Sequence, residues 1–391
     1  MQSKQTVQVG ILSLVAMGLL IAIFYAPTWW VSLTAPNYPA ESFPDGVRIH
    51  FHMNGVFNGC TKQDKAEIQE DEALDCVHEM DTINHYVGMY PIAAGGPVER
   101  AFSQFLLVML GVMLVGFMCT KPKVRMGLMS VGFAGIIGWM YVTMYTEGGF
   151  SLQNEGYVEA LVTSLDQDAG GDSAEEPEFV IGGIVGVLKD SLEESGVSVV
   201  LPSETDQANT GGRVGKGELI EQLRTTFDRD QQKQAEPVVW DGSAFQVMTW
   251  HYGKSLGRYF NNQEEIVPMV ATLKIAVNVA FFGLIAAMVL LVFGARKNSG
   301  LLYWLLVLVP MALPLFFIID YSAWLWWYGH TLNDMGAFTV KQFMPTVFGQ
   351  GKVAQFATHS YPSTGFGLMM VTSVVLAVAA LIRKKQFSGK G

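Results

Sequence analysis

Apolar and polar positions alternate along this chain in long blocks. Six stretches, at about 7–26, 101–119, 126–145, 269–293, 301–319 and 365–382, are nearly free of charge. Each is close to the roughly 20 residues a helix needs to cross a hydrocarbon core of about 30 Å. All acidic residues, all histidines and two of the three cysteines fall between them, in 27–100, 146–267 and 320–364. The pattern predicts an all-α membrane protein with six transmembrane helices and a composite cap made from three outer segments. The chain then divides into helix 1 (1–26), outer segment 1 (27–100), helices 2 and 3 (101–145), outer segment 2 (146–267), helices 4 and 5 (268–319), outer segment 3 (320–364), and helix 6 with a basic tail (365–391).

The short connectors orient this arrangement. Lys121, Lys123 and Arg125, then Arg296 and Lys297, then Arg383, Lys384 and Lys385 form basic clusters without an acid, the mark of cytoplasmic loops. Both termini are therefore expected in the cytoplasm and the large loops in the periplasm. The first apolar run ends in Tyr25-Ala26-Pro27 and a Trp pair, which reads as a retained helix and not as a cleaved signal. Trp29, Trp30, Tyr321, Trp324, Trp326, Trp327 and Tyr328 stand at the outer ends of helices 1 and 5, where aromatic belts form. Lys274 sits within a span close enough to its outer end to snorkel. Pro310 and Pro314 predict a kink in helix 5.

Within segment 1, Val47, Ile49, Phe51 and Met53 alternate with Arg48, His50 and His52, as in a half-buried strand. Asp71 to Met89 reads as a helix stopped by Gly88 and Pro91. On a 3.6-residue period, His78, Asp81, His85 and Met89 share one stripe. Segment 2 carries two polar linkers, 166–177 and 203–217, flanking the short apolar run Phe179–Leu188. A surface helix follows at Gly217–Gln234, then an aromatic run at Trp240–Phe260. Segment 3 is aromatic and poor in charge, and reads as a loop folded on the membrane surface.

A net charge of −10, mostly from segment 2, argues against nucleic acid and describes a solvated face. Cys60 and Cys76, both outside with fifteen residues between them, predict a disulfide; a thiolate metal site is the other reading. No phosphate loop, HExxH, GxSxG or haem-attachment motif occurs. Imidazole and thioether donors are a soft set suited to Cu(I) where thiolates would be oxidised. The available donors are His85, Met89, His330 and His78, with His50, His52 and Met53 as a weaker group. Against this stands ordinary packing, since histidines are common at interfaces and the chain has 20 methionines.

Two stretches, Asp81-Thr-Ile-Asn-His-Tyr-Val-Gly-Met-Tyr-Pro91 and Tyr328-Gly-His-Thr-Leu-Asn-Asp334 with Phe343-Met-Pro345 and Gly349-Gln-Gly-Lys352, carry a resemblance. They resemble motifs of a largely uncharacterised family of bacterial polytopic membrane proteins associated with gene neighbourhoods for nitrous-oxide reductase and its copper-site maturation. The resemblance implies an inner-membrane accessory protein that binds or delivers copper, with a periplasmic copper enzyme or chaperone as partner. Only His85, Met89 and His330 match those motifs; residues 150–250, His50-Phe-His-Met53 and the Cys60/Cys76 pair lie outside them. The rival expectations are a metal-free assembly or docking subunit of a redox complex, and a redox subunit that binds quinol through His330 or His85.

Overall fold

The structure, a computed structural model, describes residues 2–61, 75–165, 215–297, 300–353 and 355–388. The linker expected at 166–177, all but the last three residues of the one expected at 203–217, the apolar run Phe179–Leu188 and the first residues of the helix expected from Asp71 lie outside the described residues.

Among the described residues, five helices are long and apolar enough to cross a membrane. They are α1 (Gln2–Tyr25), α3 (Pro97–Met118), α4 (Pro122–Tyr145), α8 (Gln263–Gly294) and α11 (Thr364–Ser388), with α2 (Cys76–Tyr86), α5 (Glu155–Thr163), α6 (Lys216–Gln231) and α7 (Ala244–Gly257) between them. A sixth span exists if α9 (Leu301–Met311) and α10 (Leu313–His330) count as one, and these meet at 65°. The kink expected from Pro310 and Pro314 is thus a sharp elbow at Ala312. Beyond it α10 runs on to His330, so Trp324–His330 are helical and do not belong to a loop. Its 32 residues make α8 about 48 Å long, longer than the roughly 30 Å of a hydrocarbon core.

The expectation of an all-α fold needs a correction, because the polar segments also build a five-stranded antiparallel sheet. Segment 1 supplies β1 (Trp29–Thr34), β2 (Val47–His52) and β3 (Gly55–Asn58), and segment 3 supplies β4 (Gly349–Val353) and β5 (Phe356–Pro362), in the order β3-β2-β1-β5-β4. The expected strand is β2, with Val47 and Ile49 fully buried. Trp29 and Trp30 follow the end of α1 as the start of a strand. They open the central strand, where Trp30 pairs with His50 on one side and Tyr361 on the other. Trp29 is 2% exposed, and its indole donates to Ser360 Oγ at 2.8 Å.

Asp75 caps α2, its carboxylate accepting from Val77 N at 2.9 Å and His78 N at 3.1 Å, a carboxylate at the positive end of the helix dipole. The predicted disulfide joins Cys60, just after β3, to Cys76 at the start of α2. Closing a loop of this size stabilises by roughly 3 kcal/mol in the chain-entropy account. α6 is the expected surface helix, burying only Leu219, Leu223 and Phe227.

At the opposite ends of the helices the basic connectors act as staples. Arg383 donates to the carbonyls of Phe117 and Met118, both at 2.9 Å, and to Gln386 Oε1, while Gln386 reaches Thr6 on α1. Carbonyls left open at the end of α3 are satisfied this way.

Candidate functional site

The two resembling motifs meet through their backbones. Gly88 ends α2 with φ at +82°, and its carbonyl accepts from Asn333 N at 2.8 Å. A Cβ at Gly88 would stand 2.6 Å from the Asn333 carbonyl, so both the left-handed conformation and the close approach require glycine. Phe338 N donates to Tyr86 O at 2.9 Å beside this contact. Asn333, 4% exposed, then donates its amide to Tyr90 Oη and to Glu265 Oε2, which also accepts from the Tyr90 hydroxyl at 2.7 Å. Burial and the Glu265 carboxylate push the Tyr90 phenol upward, so it stays a donor. Glu265, in the first turn of α8, carries no motif and is invisible to spacing arguments.

The candidate ligands divide between different neighbours. His78 and His85 lie on the stripe of α2 that faces Tyr259, with ring separations of 6.4 and 5.2 Å. Nδ1 of His78 is engaged by Arg258 at 3.1 Å and the Tyr259 hydroxyl at 3.2 Å. His85 packs on Phe260 at 4.7 Å, and its buried Nδ1 has no hydrogen-bond partner among the described residues. Burial lowers its pKa. His330 stacks on Trp326 at 4.4 Å and donates Nδ1–H to the Trp326 carbonyl at 2.8 Å, which leaves Nε2 with the lone pair.

His50 and His52 project from β2. Burial first and a neighbouring positive group second hold both below the usual histidine range, His52 at about 4. The His52 ring meets Phe57 at 4.9 Å. Among the described residues no group of three or more His, Cys, Asp or Glu side chains is placed to hold a metal ion. His85, Met89 and His330 therefore come from segments that touch, while the two imidazoles turn to separate partners.

Thioethers tell a different story. A cavity of about 260 Å³ lies between α2, the sheet and segment 3, and Met80, Met89 and Met344 all line it. Helical spacing explains the placement: Met80, Ile83, Asn84 and Val87 fall at i, i+3, i+4 and i+7, a face roughly opposite the histidine stripe. Asn84 is 8% exposed, and its Nδ2 has no partner among the described residues. Lys352 of β4 also lines the cavity. Met80 and Met344 were not singled out by the sequence, because a methionine in a helix or a turn reads as core packing; only Met89 was, through its motif.

Two further ionisable groups, Asp81 of the stripe and His251, are buried. Asp81 is 2% exposed and accepts from Ile92 N at 2.6 Å. His251, also 2% exposed, bonds Leu161 O and Ser164 Oγ through Nε2 and Ser255 Oγ through Nδ1, and burial, then Arg100, lower it to about 3. It is a neutral packing histidine.

The fold is that of a mostly helical protein with several helices long and apolar enough to cross a membrane and a small antiparallel sheet. No protein-family model, curated protein or solved structure matches the chain.

Proposed function

We propose that the protein is an accessory factor of the bacterial inner membrane that binds Cu(I) in its outer layer for delivery to a respiratory copper enzyme such as nitrous-oxide reductase. The observation that supports this reading is the convergence of Met80, Met89 and Met344 on one cavity beside the unpartnered Asn84 amide. Thioethers favour Cu(I) over harder cations and survive outside the cytoplasm, where Cys60 and Cys76 are already spent on a disulfide. The cavity is larger than the coordination sphere of one ion. The three rotatable bonds of each methionine let the sulfurs close on it, and a site that must close is suited to releasing its cargo. His330, with Nε2 free at the surface, is placed as an entry ligand.

Titration of the purified full chain with Cu(I) against a chromogenic chelator tests this. Met89→Leu and Met344→Leu keep volume and remove sulfur, and each is expected to weaken binding at least tenfold, with a smaller effect from His330→Ala. Absence of copper binding in the wild type, or equal affinity in both methionine variants, rejects the reading.

The orientation belongs to the same proposal: both termini in the cytoplasm and all three polar segments in the periplasm, as the basic connectors indicate. A cysteine placed at Val239, which is 84% exposed, is expected to react with a membrane-impermeant maleimide in intact spheroplasts, and Cys119 to react only after lysis. The reverse pattern inverts the topology.

A further inference from the structure

A second cavity, of about 250 Å³, opens beside the elbow of the bent helix pair. Phe51, Ile92, Tyr321 and Leu325 stand between it and the methionine cavity, contributing to both. Its walls come from the first turns of α3, the middle of α10 and the β2–β3 turn, so it sits where the apolar layer meets the polar one. Six aromatic side chains line it: Phe51, Phe316, Phe317, Tyr321, Trp324 and Tyr328. Phe316 is also 52% exposed on the outer face of α10, next to exposed Leu315 and Ile319. The cavity therefore communicates with the surface that lipid would cover.

The polar groups decide what fits. Arg100, 6% exposed, is part of the wall. Its Nε has no hydrogen-bond partner, and no described residue forms an ion pair with it. A buried guanidinium left like this is costly unless something arrives to accept from it. At the mouth stand Glu99 and Asp320, with Trp324 Nε1 donating to Glu99 at 3.4 Å. Two acidic side chains and one guanidinium thus line the same cavity. A fatty acid or phospholipid head would bring an uncompensated anion to the carboxyl pair, whereas a neutral ring with both accepting and donating oxygens meets both ends.

We propose that this cavity binds the ring of a membrane-dissolved quinone or quinol, one oxygen accepting from Arg100 and the opposite oxygen bonded at the Glu99–Asp320 pair. The aromatic walls stack on the ring, and the isoprenoid tail leaves past Phe316 into lipid. This assignment shares no ligand residue with the copper reading and stands or falls separately. It also differs from a quinol site at His330 or His85, neither of which lines the cavity.

The test uses the full chain, purified and freed of quinone, with decylubiquinone as probe and oleate as the anionic comparison. Saturable quenching of tryptophan fluorescence by decylubiquinone is expected, largely lost in Trp324→Phe, whose binding is followed instead by equilibrium dialysis. Arg100→Gln and the cavity-filling Leu313→Trp are each expected to weaken binding at least tenfold. Should Arg100→Gln fail to fold, Asp320→Asn and Leu313→Trp carry the comparison. The proposal is overturned by no saturable binding in the wild type, by unchanged affinity in the folded variants, or by Arg100-dependent oleate binding in place of decylubiquinone.

Discussion

Replacing Arg125 with alanine is expected to cost about 4 kcal/mol of stability, the loss of two charge-assisted hydrogen bonds worth roughly 1.5–3 kcal/mol each. Arg125 is fully buried at the start of α4. Its Nε donates to the carbonyl of Ala295 at 2.9 Å, a bond reinforced by Nη2, and Nη1 reaches the carbonyl of Cys119 at 3.3 Å. Ala295 closes α8 and Cys119 closes α3, so one guanidinium serves the open carbonyls and the negative dipole ends of two helices. It also lies 4.6 Å over the Tyr303 ring. Alanine leaves those carbonyls without partners. Lysine restores charge but not the planar fork, and Arg125→Lys is expected to fall between the two. Lys121 and Lys123 are exposed, so their alanine variants should stay within about 0.5 kcal/mol of wild type. SDS unfolding of wild type and the four variants in one detergent makes the comparison; an Arg125→Ala variant as stable as Lys121→Ala removes the staple from the account.

That arginine shows how the sequence was legible and where it was not. Its charge, in a connector without acids, reads as an orientation signal, yet no periodicity says that the side chain folds back onto two helix ends. The long apolar helices were legible because hydrocarbon demands an unbroken apolar run and an internally bonded backbone. The sheet was not. β1 reads as an aromatic belt after a span, β5 lies in an aromatic stretch with little alternation, and their pairing joins Trp29 to Pro362 across nearly the whole chain. Nothing local specifies a partner that distant. On α2 the helix and its glycine stop were visible, and His78 and His85 do share a face. The helix ends at Tyr86, however, and Met89, expected on the same stripe, lines the cavity on the other side. The face that borders a cavity is the other one, carrying Met80, Ile83, Asn84 and Val87. Spacing identifies which residues point the same way; only packing decides which side meets the sheet. Arg100 was obscured differently, since it sits just before an apolar run and reads as the edge of a span until the bend at Ala312 opens a cavity beside it.

Asp81 is expected to make the stability of the protein fall as pH rises from about 4 to about 7. Burial is the main cause that lifts its carboxyl from 3.8 to about 7, and Asp75 adds to it, while the bonds from Ile92 and Ala93 and the charge of Arg258 pull the other way. In the unfolded chain the same group titrates normally. Between the two values the folded state binds the extra proton, so stability is lost on raising pH through this window and is level above it. A displacement of this size corresponds to on the order of 4 kcal/mol. His251 works in the opposite sense: its lowered pKa of about 3 costs stability as pH falls below about 6.5. The wild-type profile mixes both, and a substitution separates them. Asp81→Asn keeps an oxygen to accept from Ile92 N, cannot ionise, and is expected to match wild type near pH 4 and exceed it by several kcal/mol above pH 7. Asp81→Ala removes that acceptor and is expected to be destabilised at every pH, because a buried N–H loses its partner. Thermal unfolding of the three proteins from pH 4 to 8 gives the difference curves. An Asp81→Asn difference that stays flat across the range, or that grows toward acid, contradicts a neutral buried carboxyl at this position.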